Sequence, residues 1–243
     1  MRIRALAGFG LLALLAACAG SPSGLSSTQT PSVRVAQAAM ASGDLMLAES
    51  IYAKASAAAP SDADVQVSYA DALLRLNKVA QARSVLTAHM KTVRDPRPLG
   101  GPLGVVEVLQ GDAQAALADL AAAAAADPGN IRWIVDKAIA LDLLARHGEA
   151  QALYRQALAA DADDMIATNN LAVSLALSGQ KSEAASVAAP LAGRGDLPPR
   201  VALTGVVLRA ANGEDISGAR DTMSPGEYDH VLQLAKAMNS PAK

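Results

Sequence analysis

A single cysteine, Cys18, stands among 243 residues, which excludes any disulfide closed within the chain and leaves stability to packing. Aromatic residues make up only 2% of the sequence although 51% of it is hydrophobic. The difference is largely alanine, and small side chains point to helices packed closely together. His89, His147 and His230 are the only histidines, and no spacing among them sets two on one helical face, so a metal pair is excluded. Positive charge is not in excess either. Without Arg2 and Arg4 the 21 basic residues fall to 19 against 23 acidic ones, a formal charge of about −4, which gives no electrostatic reason to expect nucleic acid as a partner.

What is present begins at the N-terminus. Arg2 and Arg4 precede an uncharged, almost entirely apolar stretch from Ala5 to Ala17, short of the ~20 residues that a bilayer span needs. It therefore has the character of an export signal. A basic start, a short apolar core and small residues before a cysteine resemble the bacterial lipoprotein signal, with Leu15-Ala16-Ala17-Cys18 as its lipobox. The resemblance implies a signal peptide over residues 1–17 and a mature N-terminus at a lipidated Cys18. An ordinary signal cut elsewhere, or an uncleaved anchor with an idle cysteine, leaves the cysteine's place directly after Ala17 unexplained. Residues 18–30 are rich in Ser, Gly and Thr and are expected to form a flexible tether. Ala19 after the cysteine, rather than aspartate, implies transfer to the outer membrane by the sorting rule of such lipoproteins.

The remaining residues, 31–243, contain a period. Alanine recurs at 48, 82, 116, 150 and 184, every 34 residues without an insertion. Four residues later stand Tyr52, Leu86, Leu120, Tyr154 and Ala188; twelve earlier, Ala36, Ala70, Gly104, Ala138 and Ala172, all small. Five earlier come Gly43, Asn77, Gly111, Ala145 and Gly179, where a first helix must stop and turn. Pro60 and Pro128 recur where a second helix has finished. The unit is helix, turn, helix.

This pattern, seen best in "GDLMLAESIYAKASAAAP" and "TNNLAVSLALSGQKSEAASVAAPL", resembles the tetratricopeptide repeat. It implies an all-α superhelix of about five to six helix-turn-helix units, closed by a C-terminal capping helix over residues 224–238. In that helix Ser224, Pro225 and Glu227 form a capping-box start, and Tyr228, Val231, Leu232, Leu234 and Ala235 mark an apolar face. Two departures carry expectations of their own. Pro96, Pro98, Gly100, Gly101 and Pro102 should shorten the first helix of the third unit and make it a bend. Lys137 stands where its neighbours have Tyr69, Leu103 and Leu171, and should weaken the core of the fourth unit or shift its register.

No convergent catalytic groups, cofactor motif or metal set emerges, so the chain is expected not to be an enzyme. Asp161, Asp163 and Asp164 fall between units, where aspartate caps helices. Arg194-Gly195-Asp196 sits in a Gly- and Pro-rich turn and needs no adhesive role. In the family the first helices line a concave groove. Carried over, its positions are Asp71, Leu74, Arg75, Val105, Leu109, Arg132, Ile139, Asp142, Leu143, Ile166, Asn169, Val173 and Leu177, with Asn170 beside them. Exposed, the apolar members would suit a partner's apolar face; buried, they would be core. Asn169 and Asn170 could both donate to and accept from a partner's backbone. The clamp that some members use for a terminal carboxylate is missing, since Val33 and Gln37, or Val67 and Asp71, occupy its positions.

The ending, from "NNLAVSLALSGQKSEA" through "PRVALTGVVLRAANGED" to "SPGEYDHVLQLAKAM", resembles the TadD family of tight-adherence (Flp) pilus assembly lipoproteins. That resemblance implies an outer-membrane lipoprotein facing the periplasm. It would bind pilus assembly components, among them the secretin, as scaffold or pilotin. A periplasmic adaptor for cell-wall hydrolases or another envelope export system is the alternative.

Overall fold

The computed structural model describes residues 30–238, apart from residues 192, 193, 195, 196, 198 and 222. Cys18, the signal expected at 1–17, all of the tether except Thr30, and the Gly195-Asp196 part of the tripeptide lie outside the described residues.

Five helix pairs follow one another: α1 (Pro31–Ser42) with α2 (Leu45–Ala58), α3 (Ala63–Arg75) with α4 (Val79–His89), α5 (Arg97–Gln110) with α6 (Ala113–Ala126), α7 (Ile131–Leu143) with α8 (His147–Ala160), and α9 (Met165–Leu177) with α10 (Lys181–Ala188). A 3-10 turn over Ala189–Leu191, a further helix, α11 (Pro199–Ala211), a second 3-10 turn over Ser217–Asp221 and α12 (Pro225–Met238) follow among the described residues. Each pair packs on the next, and from α3 onward the first helices of adjacent units also touch. The result is the all-α repeat superhelix that the period implies.

Capping and turn chemistry explain the unit. Asp44, Asp62, Asp112 and Asp164 each accept a backbone N–H from the first turn of α2, α3, α6 and α9, satisfying donors that have no partner within the helix. For Asp164 this is the capping role expected of the acidic cluster. The turn column enters the left-handed region at every repeat, with φ of 82° at Gly43, 58° at Asn77, 79° at Gly111, 56° at Ala145 and 85° at Gly179. Gly213 continues it at 80°, so a sixth unit begins on schedule. Its second helix does not follow. A 3-10 turn takes the place of that helix and the chain proceeds to α12, whose Ser224 Oγ accepts from Glu227 N while Ser224 N donates to Glu227 Oε2. Within α12, Tyr228, Val231 and Ala235 are buried, but Leu232 is exposed, contrary to the apolar face expected for it.

The core lies between the two helices of each unit and between units. Ala48, Ala82, Ala116, Ala150 and Ala184 are fully buried, as are Leu86 and Leu120 four residues on, with Tyr52 and Tyr154 nearly so. Alanine in this column lets the helices approach; the large residue one turn later fills the space.

The first helix of the third unit is not shortened. α5 runs for 14 residues, with Pro98 in its first turn, where a missing N–H costs nothing, and Pro102 inside it. Its glycines serve close approach. A Cβ on Gly101 would lie 2.7 Å from the ring of Trp133 on α7, and one on Gly104 would lie 2.5 Å from Leu120 Cγ on α6. The fourth unit does not shift its register: Ala138, Ala150 and Tyr154 keep the shared positions in an apolar core, and Lys137 is half-buried at its edge, where Leu103 and Leu171 are buried in their units.

Polar side chains also tie units together at one recurring position. Glu49 accepts from Lys78 Nζ at 2.6 Å, Arg83 donates to Gln110, and Gln151 exchanges hydrogen bonds with Ser178 and Gln180. The corresponding residue of the third unit is Leu117, which packs between two apolar clusters.

Candidate functional site

Residues four apart share a helical face, and α5, α7 and α9 lie in contact in sequence. The pairs Val105/Leu109, Ile139/Leu143 and Val173/Leu177 therefore form a continuous stripe across three units. Leu109 is 56% exposed, Leu143 53% and Leu177 55%, while Val105, Ile139 and Val173 are half-buried beneath them. The leucines are surface, not core. Single exposed leucines are common on any protein, but three at one repeat position on adjacent helices make a contiguous apolar face.

The polar candidates separate from this stripe. Asp71, Arg75 and Arg132 line one hollow of about 420 Å³ with Tyr52, Ser68 and Trp133, to which α5 contributes only Pro102. Arg75 Nε lies 3.2 Å from Asp71 Oδ2, so these two charges satisfy each other across one turn. The Arg132 guanidinium sits 5.5 Å from the centroid of the Trp133 ring and 3.5 Å from Asp136 Oδ2. At the far end Ile166 is exposed, and Asn169 Nδ2 donates to Asn170 Oδ1 at 3.2 Å. Both amides are half-buried and partly engaged with each other.

Asp142 belongs to neither set, although its position suggested the groove. Its Oδ1 lies 2.8 Å from His147 Nδ1 and accepts from Ser174 Oγ at 2.7 Å, and its Oδ2 accepts from Tyr154 OH at 3.1 Å. The carboxylate thus braces α7, α8 and α9. Ser174 and Tyr154 donate to the carboxylate and not to the imidazole, so the arrangement is not that of a nucleophile with its base. Burial, reinforced by Asp142, pushes the Tyr154 hydroxyl well above the ordinary tyrosine range.

Two acids with a buried carboxylate oxygen escaped sequence reasoning. Glu107 is 5% exposed and its Oε2 makes no hydrogen bond; Arg83 NH2 is 3.8 Å from Oε1. Burial first, then Asp119 beside it, push its carboxyl up to about 7. A signal existed: Glu107 occupies the repeat position of Leu73, Leu141 and Leu175, all buried. Asp136 Oδ2 is likewise buried without a hydrogen bond, and burial raises its carboxyl to about 6 despite Arg132. Among the described residues no group of His, Cys, Asp and Glu could hold a metal ion, and no helix is long and apolar enough to cross a membrane.

Comparisons with known proteins fit this geometry. Family models described as tetratricopeptide repeat match residues 39–99 and 135–195. A curated relative, the uncharacterized protein y4yS of Sinorhizobium fredii (strain NBRC 101917 / NGR234), is 41% identical over 56 residues, which are 23% of this chain. The chain spans only 31% of that relative's length. Among solved structures, PilW, a widely conserved type IV pilus biogenesis factor, superposes with a TM-score of 0.69 at 19% identity, covering 83% of this chain and 95% of PilW. PilF of Pseudomonas aeruginosa gives 0.60 at 16% identity, covering 85% and 90%. MamA of Desulfovibrio magneticus RS-1 gives 0.56 at 17% identity, covering 66% and 90%. Likeness at these identities shows a shared fold alone.

Proposed function

As a tetratricopeptide-repeat protein this chain presents the surface that its units build together, and we propose that it is a lipid-anchored outer-membrane scaffold for assembling a tight-adherence (Flp) pilus. Cys18 carries the lipid and holds the repeats at the periplasmic face, and the groove captures an assembly component, in the sharpest form a segment of the secretin. The protein acts by binding and not by catalysis. One observation carries the reading: the exposed leucine stripe of Leu109, Leu143 and Leu177, a contiguous apolar surface on adjacent helices. The N-terminal lipobox, the TadD-like ending and the occurrence of the same fold in a type IV pilus biogenesis factor support it.

Replacing Cys18 with Ser tests the anchor and the role together. The variant should keep the helical circular-dichroism spectrum of the parent, leave the membrane fraction and disrupt secretin multimers in the outer membrane. Normal secretin multimers in cells making only Cys18→Ser would overturn the pilotin role. Recovery of peptidoglycan hydrolases without secretin, using the wild-type protein as bait, would favour the cell-wall adaptor instead.

A further inference from the structure

The stripe continues onto α11 as Val207 and Ala211, both buried, so this part of it is already covered. Val207 on α11 lies 34 residues after Val173 and extends the series Val105, Ile139, Val173. Whereas those three are half-buried, Val207 is only 6% exposed, because it packs in one cluster with Tyr228 and Val231 of α12. Leu203, Val206 and Ala210 of α11 pack against the same cluster. The chain therefore covers the end of its own stripe with an amphipathic helix, which meets the repeat position through apolar side chains three residues apart and leaves Leu232 and Gln233 in solvent.

We propose that the open part of the stripe, Leu109, Leu143 and Leu177, takes an amphipathic α-helix of a partner protein, continuing the surface that α12 already covers. This rests on the scaffold reading above and specifies the partner's form. The face to be covered is apolar across three helices, and the groove charges of α3 and α7 are paired within their own helices, Arg75 with Asp71 and Arg132 with Asp136. An occupant is thus selected by apolar side chains on one face and not by charge. Packed helices lie about 8–10 Å apart, so three first helices span roughly 20 Å. A partner helix rising 1.5 Å per residue needs about 14 residues to cross them, the length of α12 itself.

The geometry sets a readout that separates a helix from an extended segment. A photoreactive side chain is placed singly at 109, 143 or 177 of the full chain in its native envelope, and the attached residues of the captured partner are mapped by mass spectrometry. A helix crossing about 10 Å per unit should give attachment sites stepping by about six to seven residues from one position to the next. An extended segment, at about 3.3 Å per residue, would give steps of about three. Steps of six to seven within one segment support the proposal. Steps of about three, sites scattered over unrelated segments, or no attachment at any of the three positions would overturn it. The captured protein's identity bears separately on the pilus reading: helical steps on a protein outside pilus assembly would keep this inference and sink that role.

Discussion

At the scale of single residues, Gly101 and Glu107 of the third unit and Asp136 of the fourth have measurable consequences. Gly101 leaves no room for a methyl group against Trp133. Alanine would gain about 1 kcal/mol of helix propensity, but overpacking a buried contact costs about 1–3 kcal/mol. Gly101→Ala should therefore lower stability by roughly 1 kcal/mol net, measured by urea denaturation. Trp133 is the only tryptophan, so its emission should shift at the same time and locate the disturbance. Glu107 and Asp136 govern the response to pH. Their carboxyls are raised from ordinary values of 4.5 and 3.8 to about 7 and about 6, so the folded protein binds protons more tightly than the unfolded chain. Their contribution to stability is fully present below the ordinary values and is lost as pH rises through about 6 and 7. The denaturation midpoint should rise as pH falls from about 8 to about 5. In Glu107→Gln that rise should shrink, and at pH 8 the variant should be more stable than the parent by on the order of 1–2 kcal/mol, since no buried charge remains there. A pH profile unchanged by the substitution would rule out Glu107 as its source.

At the scale of helices and turns, the left-handed column is filled by glycine at four of six repeats and by Asn77 and Ala145 at the others. A residue with a Cβ pays about 1–2 kcal/mol to sit there, partly offset by the greater freedom that glycine gives the unfolded chain. Ala145→Gly should thus stabilise the protein by about 0.5–1 kcal/mol, visible as a higher melting temperature. Gln114→Gly, at an exposed position where the backbone of α6 is helical, should instead lower the melting temperature, since glycine there only weakens the helix. The elements were largely legible in the sequence because each repeat column states one physical requirement: small where helices cross, large one turn later, left-handed at the turn. Where one residue type serves two ends, the sequence misled. The prolines and glycines of residues 96–102 suggested a shortened helix, but Pro98 falls in the first turn and Gly101 and Gly104 make room for Trp133 and Leu120. Asp142 lay on the groove side by period, yet three partners from two neighbouring helices turn it into a brace, and those partners are 5, 12 and 32 residues away. Exposure of the leucines was open for the same reason, since period gives a face but not what covers it.

At the scale of the whole molecule, the stripe and the fold should be separable. Replacing Leu109, Leu143 and Leu177 together with Ser removes side chains that are more than half in solvent, so stability should change by no more than about 1.5 kcal/mol, about 0.5 per site. Partner capture by the full chain in its native envelope should fall to background; undiminished capture would move the binding surface elsewhere. The units themselves are not joined alike. Glu49 with Lys78 and Arg83 with Gln110 tie the first three units by charged side chains, whereas Leu117 leaves the junction of the third and fourth to apolar contact. Added sulfate or phosphate screens the former and strengthens the latter, while cooling weakens apolar contact. One molecule thus holds two kinds of joint with opposite responses, and ionic strength and temperature select which of them yields first.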